Sequence, residues 1–260
     1  AGAPVPGQVH DWLLNQVLDR DAETYTPYGA TEALPVANFR GREMLSGTRQ
    51  ATSAGKGMCV GKPIPEISAV IINISDAPIA DFSQVKPLPA GEIGELCVKG
   101  DCVTREYYLR PDATRLAKIP QGQELWHRMG DVGYFDEQGR FWFCGRKNHR
   151  VQTHDSQGQP LTLFTIPCEA IFNLIPGVRR SALVGVGPKD DQTPVIIIEP
   201  EPGQRLQPEE ILSRAAQSPV TALIRQVLFH PAFPVDVRHN AKINREALSR
   251  WAGKRLGRSN

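Results

Sequence analysis

The sequence predicts a chain of mixed α/β and α+β class in two parts, residues 1–146 and residues 147–260. Three observations predict it. A short β-type run, Thr24 to Tyr28, leads directly into a turn of ligand-binding composition, as at the edge of an α/β sheet. From about Leu88 to Cys144, alternating and aromatic runs broken by glycine turns read as a small antiparallel β unit. After Arg146 a polar stretch gives way to alternating helical and strand-like segments, the pattern of a compact α+β domain. A length of 260 residues suits two domains with real cores.

The elements follow in order. Val5, Val9, Trp12, Leu13 and Val17 recur at helical spacing and predict an amphipathic helix. Met44 to Gly57 is polar and looks superficially like a phosphate loop. It lacks the G-x-x-x-x-G-K-[ST] spacing and a preceding strand, so it reads as a surface loop. Ala69 to Ile74 is an apolar strand, and Glu92 to Val98 alternates as a half-buried one should. Val132 to Cys144 reads as a hairpin around Asp136-Glu137-Gln138-Gly139. Lys147 to Pro160, with His149, His154 and Gly158, reads as a hinge or flexible hairpin. Pro167 fits the first turn of a helix carrying Ala170, Ile171 and Leu174. Ser181 to Val186, Pro194 to Glu199 and Ile224 to Phe229 are strands, and Pro208 to Ala216 is a helix. A last helix, Asn244 to Leu256, puts Leu248, Trp251, Ala252 and Leu256 on one face.

Composition narrows the function classes. A net charge of +2 and an ordinary apolar fraction argue against disorder and against wholesale nucleic-acid binding. Arg238 to Arg258 is basic but carries no interleaved stacking aromatics, which favours a solvated face over a nucleic-acid contact. Five cysteines form an odd set without a CxxC pair, so reduced, buried thiols in a cytoplasmic protein are expected rather than disulfides or zinc. No apolar run reaches the ~18–20 residues of a membrane span.

The chemistry centres on Tyr28-Gly29-Ala30-Thr31-Glu32. A ring face suits a base, a glycine lets the backbone approach, a hydroxyl suits phosphate and a carboxylate suits Mg²⁺. On composition alone a tight turn after a strand accounts for the same residues. Three later stretches fit the same chemistry in order: His127-Arg128-Met129-Gly130-Asp131, Phe143-Cys144-Gly145-Arg146-Lys147 and Asn240-Ala241-Lys242-Ile243-Asn244-Arg245. Together they resemble the adenylate-forming superfamily of acyl-CoA synthetases, fatty acyl-AMP ligases, peptide-synthetase adenylation domains and luciferases. The resemblance implies a large domain and a small mobile C-terminal domain with the nucleotide between them. Residues 1–146 would be the C-terminal portion of the large domain, and residues 147–260 the whole of the small one.

The resemblance also implies roles. Gly2 and Ala3 correspond to a glycine-rich strand end against adenine and acyl group. Tyr28 stacks on adenine with Gly29 beside it, Thr31 contacts phosphate and Glu32 holds Mg²⁺. Asp131 takes both ribose hydroxyls, a task suited to a carboxylate. Arg146 lies near ribose and phosphate, and Lys242 reaches the substrate carboxylate and α-phosphate. Thr31, Glu32 and Lys242 are thus the expected catalytic set, with ATP/AMP and Mg²⁺ as cofactors. Met129 and Ala241 replace the family's threonine and glycine. Gly91-Glu92-Ile93-Gly94-Glu95-Leu96, with Gly100 and Tyr107-Tyr108, matches a further family segment whose expected role is structural.

The residues flanking these motifs are similar to the β-lactone synthetase branch of bacterial long-chain olefin biosynthesis. The stretch after the hinge has no glycine before Gly158, unlike acyl-CoA ligases, whose backbone passes pantetheine there. The implied reaction is adenylation of a long-chain 2-alkyl-3-hydroxy fatty acid, followed by intramolecular closure to a β-lactone with AMP release. Other enzymes of that pathway would be its partners. A fatty acyl-CoA or acyl-AMP ligase is the alternative enzyme, and a non-catalytic nucleotide- and acyl-binding fragment the alternative of another class. His127, His149 and His154 are candidate bases for the hydroxyl by residue type alone. The family's Ser/Thr/Gly-rich phosphate loop is absent from these residues, so the 260-residue polypeptide alone is expected to be inactive.

Overall fold

The computed structural model describes Val5, residues 7–236 and residues 242–257. The chain divides into two compact units. The first holds the described residues up to Gln50 together with Gly57–Asn148, and the second holds Ala51–Lys56 and the chain from His149 onward. No helix among the described residues is long and apolar enough to cross a membrane.

The first unit opens with α1 (Gly7–Trp12), which continues as a π-type turn over Leu13–Val17. The helix forms where its periodicity predicts, but it turns a different face inward. His10 and Leu14 are buried while Val9, Trp12 and Val17 are 40%, 53% and 52% exposed. The physical reason is polar: the His10 ring bonds the hydroxyls of Thr24 and Thr26 at 2.8 and 2.9 Å. Strands β1 (Tyr25–Ala30) and β2 (Ala33–Arg40) then form an antiparallel hairpin. The stretch expected as a surface loop, Met44 to Gly57, is helical instead as far as Ser53: after α2 (Gly41–Glu43) come a π-type turn (Met44–Thr48) and α3 (Arg49–Ser53). Its polar residues, Arg42, Glu43, Arg49 and Gln50, are good helix formers, so polarity there marks a solvated helix rather than a loop.

Short strands β3 (Met58–Cys59) and β4 (Lys62–Pro63) follow, and β4 adds to β2. Next come β5 (Ser68–Ile72), β6 (Gly94–Lys99), α4 (Pro111–Ala117), β7 (Lys118–Gln121), β8 (Glu124–Phe135) and β9 (Phe141–Arg146). They build an antiparallel sheet in the order β3-β9-β8-β6-β5, with β7 also paired to β8. The sheet is therefore wider than the unit expected from residue 88 onward, because β3 and β5 join it from upstream. Strand β6 is buried along its whole length apart from Lys99, not half-buried. Its alternate polar residue, Glu95, points inward to an ion pair: Arg128 Nη2 lies 2.6 Å from one carboxylate oxygen and Lys147 Nζ 3.0 Å from the other. A carboxylate can be taken out of water at that position only because both charges meet it there. Gly94 and Gly100 are packing residues, since a Cβ would stand 2.2 Å from the Ile72 carbonyl and 2.6 Å from the Glu66 carbonyl respectively.

In the second unit, β10 (Val151–His154) and β11 (Pro160–Leu163) form a hairpin, followed by α5 (Thr165–Phe172). A three-stranded sheet comprises β12 (Val178–Val186), β13 (Thr193–Pro200) and, after α6 (Pro208–Ala215), β14 (Gln226–Phe229). Strand β13 runs antiparallel to β12 and parallel to β14. Helix α7 (Arg245–Arg255) is the last element among the described residues. The period-2 rule divides β12 and β13 between two cores: Leu183, Ile196 and Ile198 pack with Phe172 and Ile211, whereas Val184, Val195 and Ile197 pack with Leu248 and Ala252. Helices on both faces explain why these strands read as unbroken apolar runs.

Candidate active site

The Tyr28–Glu32 motif is the tip of a hairpin. Ala30 pairs with Ala33, which leaves Thr31 and Glu32 as a two-residue turn. The ladder is irregular between Tyr28 and Ala30, and Gly29 sits at that irregularity. A Cβ on Gly29 would lie 2.4 Å from the Ala33 carbonyl oxygen, so glycine is required by the hairpin itself. Thr31 is exposed and Glu32 is half-buried.

Three expected nucleotide-binding residues meet in one hydrogen-bonded chain. The Tyr28 hydroxyl donates to Asp131 Oδ2 at 2.5 Å, and Arg146 Nη1 donates to Asp131 Oδ1 at 2.6 Å. The β8–β9 register sets Asp131 directly opposite Arg146, and Gly130 at φ +66° lets the strand turn there. Arg146 Nη1 also donates to the Met129 carbonyl at 3.1 Å. The Tyr28 ring leans on Phe141 and Phe143, with centroids 5.6 and 6.3 Å away. Burial pushes the Asp131 carboxyl up, against the opposing pull of Arg146 and the Tyr28 hydroxyl. Burial, and then the neighbouring Asp131 charge, pushes the Tyr28 phenol well up, so it stays a hydrogen-bond donor. A carboxylate has about four acceptor positions. Tyr28 and Arg146 occupy two, leaving capacity for a diol.

A second cluster surrounds Glu32. Tyr107 donates its hydroxyl to Glu32 Oε1 at 2.8 Å. Burial alone would push Glu32 up, but the Tyr107 hydroxyl, a backbone N–H and the nearby His127 and Lys118 outweigh it and hold Glu32 below its ordinary value. Lys118 lies opposite His127 across β7 and β8 and donates to the carbonyl and hydroxyl of Thr104. Burial lowers Lys118 to about 8, against the opposing pull of Glu32. Burial and then the Lys118 charge lower His127 to about 4, and His127 Nδ1 stands 3.2 Å from the Ala117 carbonyl. His127 is therefore neutral at pH 7. No group of three His, Cys, Asp or Glu residues among the described residues could hold a metal by itself. A single ionised, half-exposed carboxylate does fit a Mg²⁺ ion that arrives with most of its oxygen ligands on a triphosphate.

Gly2 and Ala3 are outside the described residues. His149 ends a short 3₁₀ turn (Lys147–His149), and His154 pairs with Asp191 at 3.2 Å on the exposed side of the second unit. Lys242 belongs to the second unit and is exposed. Its carbonyl accepts from Asp236 N at 2.9 Å, and Ile243 bridges Val235. Tyr107 and Lys118 were not expected at the site. Tyr107 stood in a motif read as structural, and the proximity of Lys118 to Glu32 arises only from the pairing of β7 with β8.

Comparison with known proteins fits this geometry. Residues 1–108 match the family model of the AMP-binding enzymes. Those residues thus form an AMP-binding enzyme domain by sequence. It is 49% identical to the olefin β-lactone synthetase of Stenotrophomonas maltophilia (strain K279a), over 98% of this chain and 47% of that protein. It is 48% identical to the olefin β-lactone synthetase of Xanthomonas campestris pv. campestris, over 98% of this chain and 46% of that protein. The chain thus spans about half the length of the curated relatives it matches. The fold is shared with ATP-bound MatB of Rhodopseudomonas palustris, at a TM-score of 0.69 and 22% identity over 89% of this chain and 41% of that one.

Proposed function

We propose that the protein carrying this chain uses MgATP to adenylate a long-chain 2-alkyl-3-hydroxy fatty acid and then closes the acyl adenylate to a β-lactone. The observation that carries this reading is 48–49% identity, along 98% of the chain, to proteins named olefin β-lactone synthetase. The site supports the first step. Tyr28 offers a ring face to adenine, worth about 1–3 kcal/mol as a stacking platform. Asp131 accepts from the ribose hydroxyls, and Arg146 holds that carboxylate in place beside the phosphate. Thr31, exposed at the hairpin tip, donates to phosphate. Glu32 holds Mg²⁺, which supplies neutralisation of the triphosphate charge when bound. Lys242 offers an ammonium to the two anions that must meet. The domain reading is residues 1–146 and a mobile 147–260, a boundary two residues before that of the compact units. Free thiols, four of the five buried, suit a cytoplasmic setting.

In the first step a carboxylate oxygen bonds the α-phosphorus and the bond to pyrophosphate breaks. In the second, the β-hydroxyl oxygen bonds the acyl carbon, the acyl–phosphate C–O bond breaks and AMP departs; the hydroxyl proton passes to solvent or a base. Holding both reacting groups in one molecule favours closure without an external acceptor. His127 is buried and lowered to about 4, which makes it a weak base, and His154 is tied to Asp191, so neither residue is assigned as the base. The decisive experiment gives the protein carrying this chain MgATP and the hydroxy acid without CoA. We expect AMP and a product one water lighter than the acid. An acid that persists until CoA is added, then appears as a thioester, would instead establish an acyl-CoA ligase.

A further inference from the structure

The segment that bears Lys242 is fixed to its own unit on one side by an ion pair between Arg245, the last residue of its motif stretch, and Glu169. Three residues beyond the lysine, Arg245 opens α7, with Asn244 capping that helix through an Oδ1 bond to Ala247 N at 3.0 Å. The Arg245 guanidinium forks onto Glu169 of α5: Nη2 lies 2.8 and 2.7 Å from the two carboxylate oxygens, and Nε lies 3.3 Å from Oε1. Glu169 is 6% exposed, and its Oε1 also accepts from Leu183 N of β12 at 2.9 Å. One buried carboxylate thus ties three elements together at the root of the Lys242 segment. On the other arm, Asn244 N donates to the Pro234 carbonyl at 2.8 Å, and the Lys242 carbonyl accepts from Asp236 N.

We propose that Glu169 and Arg245 are a positioning pair for Lys242, setting where its exposed ammonium emerges from the second unit. This inference rests on the reading that Lys242 serves adenylation. For stability alone, a well-packed apolar pair would serve α5 and α7 as well as a buried ion pair does. A planar fork against a carboxylate adds direction: it fixes the axial position and rotation of the first turn of α7, and so the start of the chain leading back to Lys242. An ammonium acting on a transition state depends on such placement, and a shift of about 1 Å from a remote change can cost about 10²-fold in rate. Neither residue needs to touch substrate.

The test is a cycle in the protein that carries this chain, read by ATP–pyrophosphate exchange driven by the hydroxy acid, with AMP binding by calorimetry as the control. Arg245→Lys keeps the charge and removes the fork; Glu169→Gln keeps the shape and removes the charge. Each should lower exchange by about tenfold or more, with AMP affinity held within about twofold, because Tyr28, Asp131 and Arg146 lie in the first unit and Lys242 acts chiefly where the two anions meet in the transition state. In a Lys242→Ala background neither should cost anything further. Unchanged exchange in both variants, losses that multiply with that of Lys242→Ala, or a parallel loss of AMP affinity would each overturn the pairing as a positioning device. Exchange that survives Lys242→Ala would overturn the reading of the lysine itself, and the inference with it.

Discussion

Tyr28 holds its ring and its hydroxyl to different tasks. The ring rests on Phe141 and Phe143, and the hydroxyl spends its proton on Asp131. Removing only the hydroxyl leaves the stacking face and releases one acceptor of Asp131 to the ribose. We therefore expect Tyr28→Phe to keep AMP affinity within about threefold, and Tyr28→Ala to lose about 1–3 kcal/mol, or roughly 5- to 150-fold. Calorimetric titration with AMP separates the two. Equal losses in both variants would mean that the hydroxyl, and not the ring, carries the contact. At this scale the sequence was highly legible for Tyr28, Asp131 and Arg146, because each residue type suits one chemical task. It was silent on Tyr107 and Lys118, whose nearness to Glu32 depends on which strands pair.

At the scale of elements, buried carboxylates join strands and helices that apolar packing alone would leave free to slide. Glu199 at the end of β13 accepts from Arg180 Nε at 2.9 Å and from Phe233 N at 2.6 Å, and it pairs with Arg179 at 3.0 Å. Burial alone would raise its carboxyl, but the Phe233 N–H and the two guanidiniums outweigh it and hold it below the ordinary 4.5. A group whose pKa is lower in the folded state contributes stability that is fully present above its unfolded value. That stability is lost as pH falls through the folded value. Glu199→Gln should therefore lower the urea midpoint at pH 7, and the gap from the unsubstituted protein should close as pH drops below about 4.5. A gap that stays constant down to pH 3 would show that charge is not what Glu199 contributes. Strand periodicity and helix caps foretold most of these elements. The helical run from Gly41 to Ser53 was missed because polar residues with good helix propensity look the same in a loop.

For the molecule as a whole, cysteine chemistry offers a direct check on packing. Cys59, Cys97, Cys144 and Cys168 are buried and Cys102 is exposed, and none is in a disulfide. Burial pushes the Cys59 thiol up to about 11 and Cys144 to about 12, and it raises Cys97 as well. Since the thiolate is the reactive form, one thiol in this chain should react promptly with an aromatic disulfide reagent at pH 8, and all five after denaturation. Two or more prompt thiols in the native protein would contradict the buried core described for both units.

By itself the sequence determined the resemblance to the AMP-binding enzymes, the order of most strands and helices, and the identity of the residues that meet at Asp131. Each of these is local: a spacing, a residue type or a run of a few positions. Only the tertiary structure decided which face α1 buries, that β3 and β5 widen the main sheet, and that Glu95 and Glu169 point inward to arginines. Those features depend on partners 33 and 76 residues away in the chain. A buried charge is tolerable only where its counter-charge arrives, and that meeting is set by strand pairing and helix packing rather than by any pattern within a short stretch.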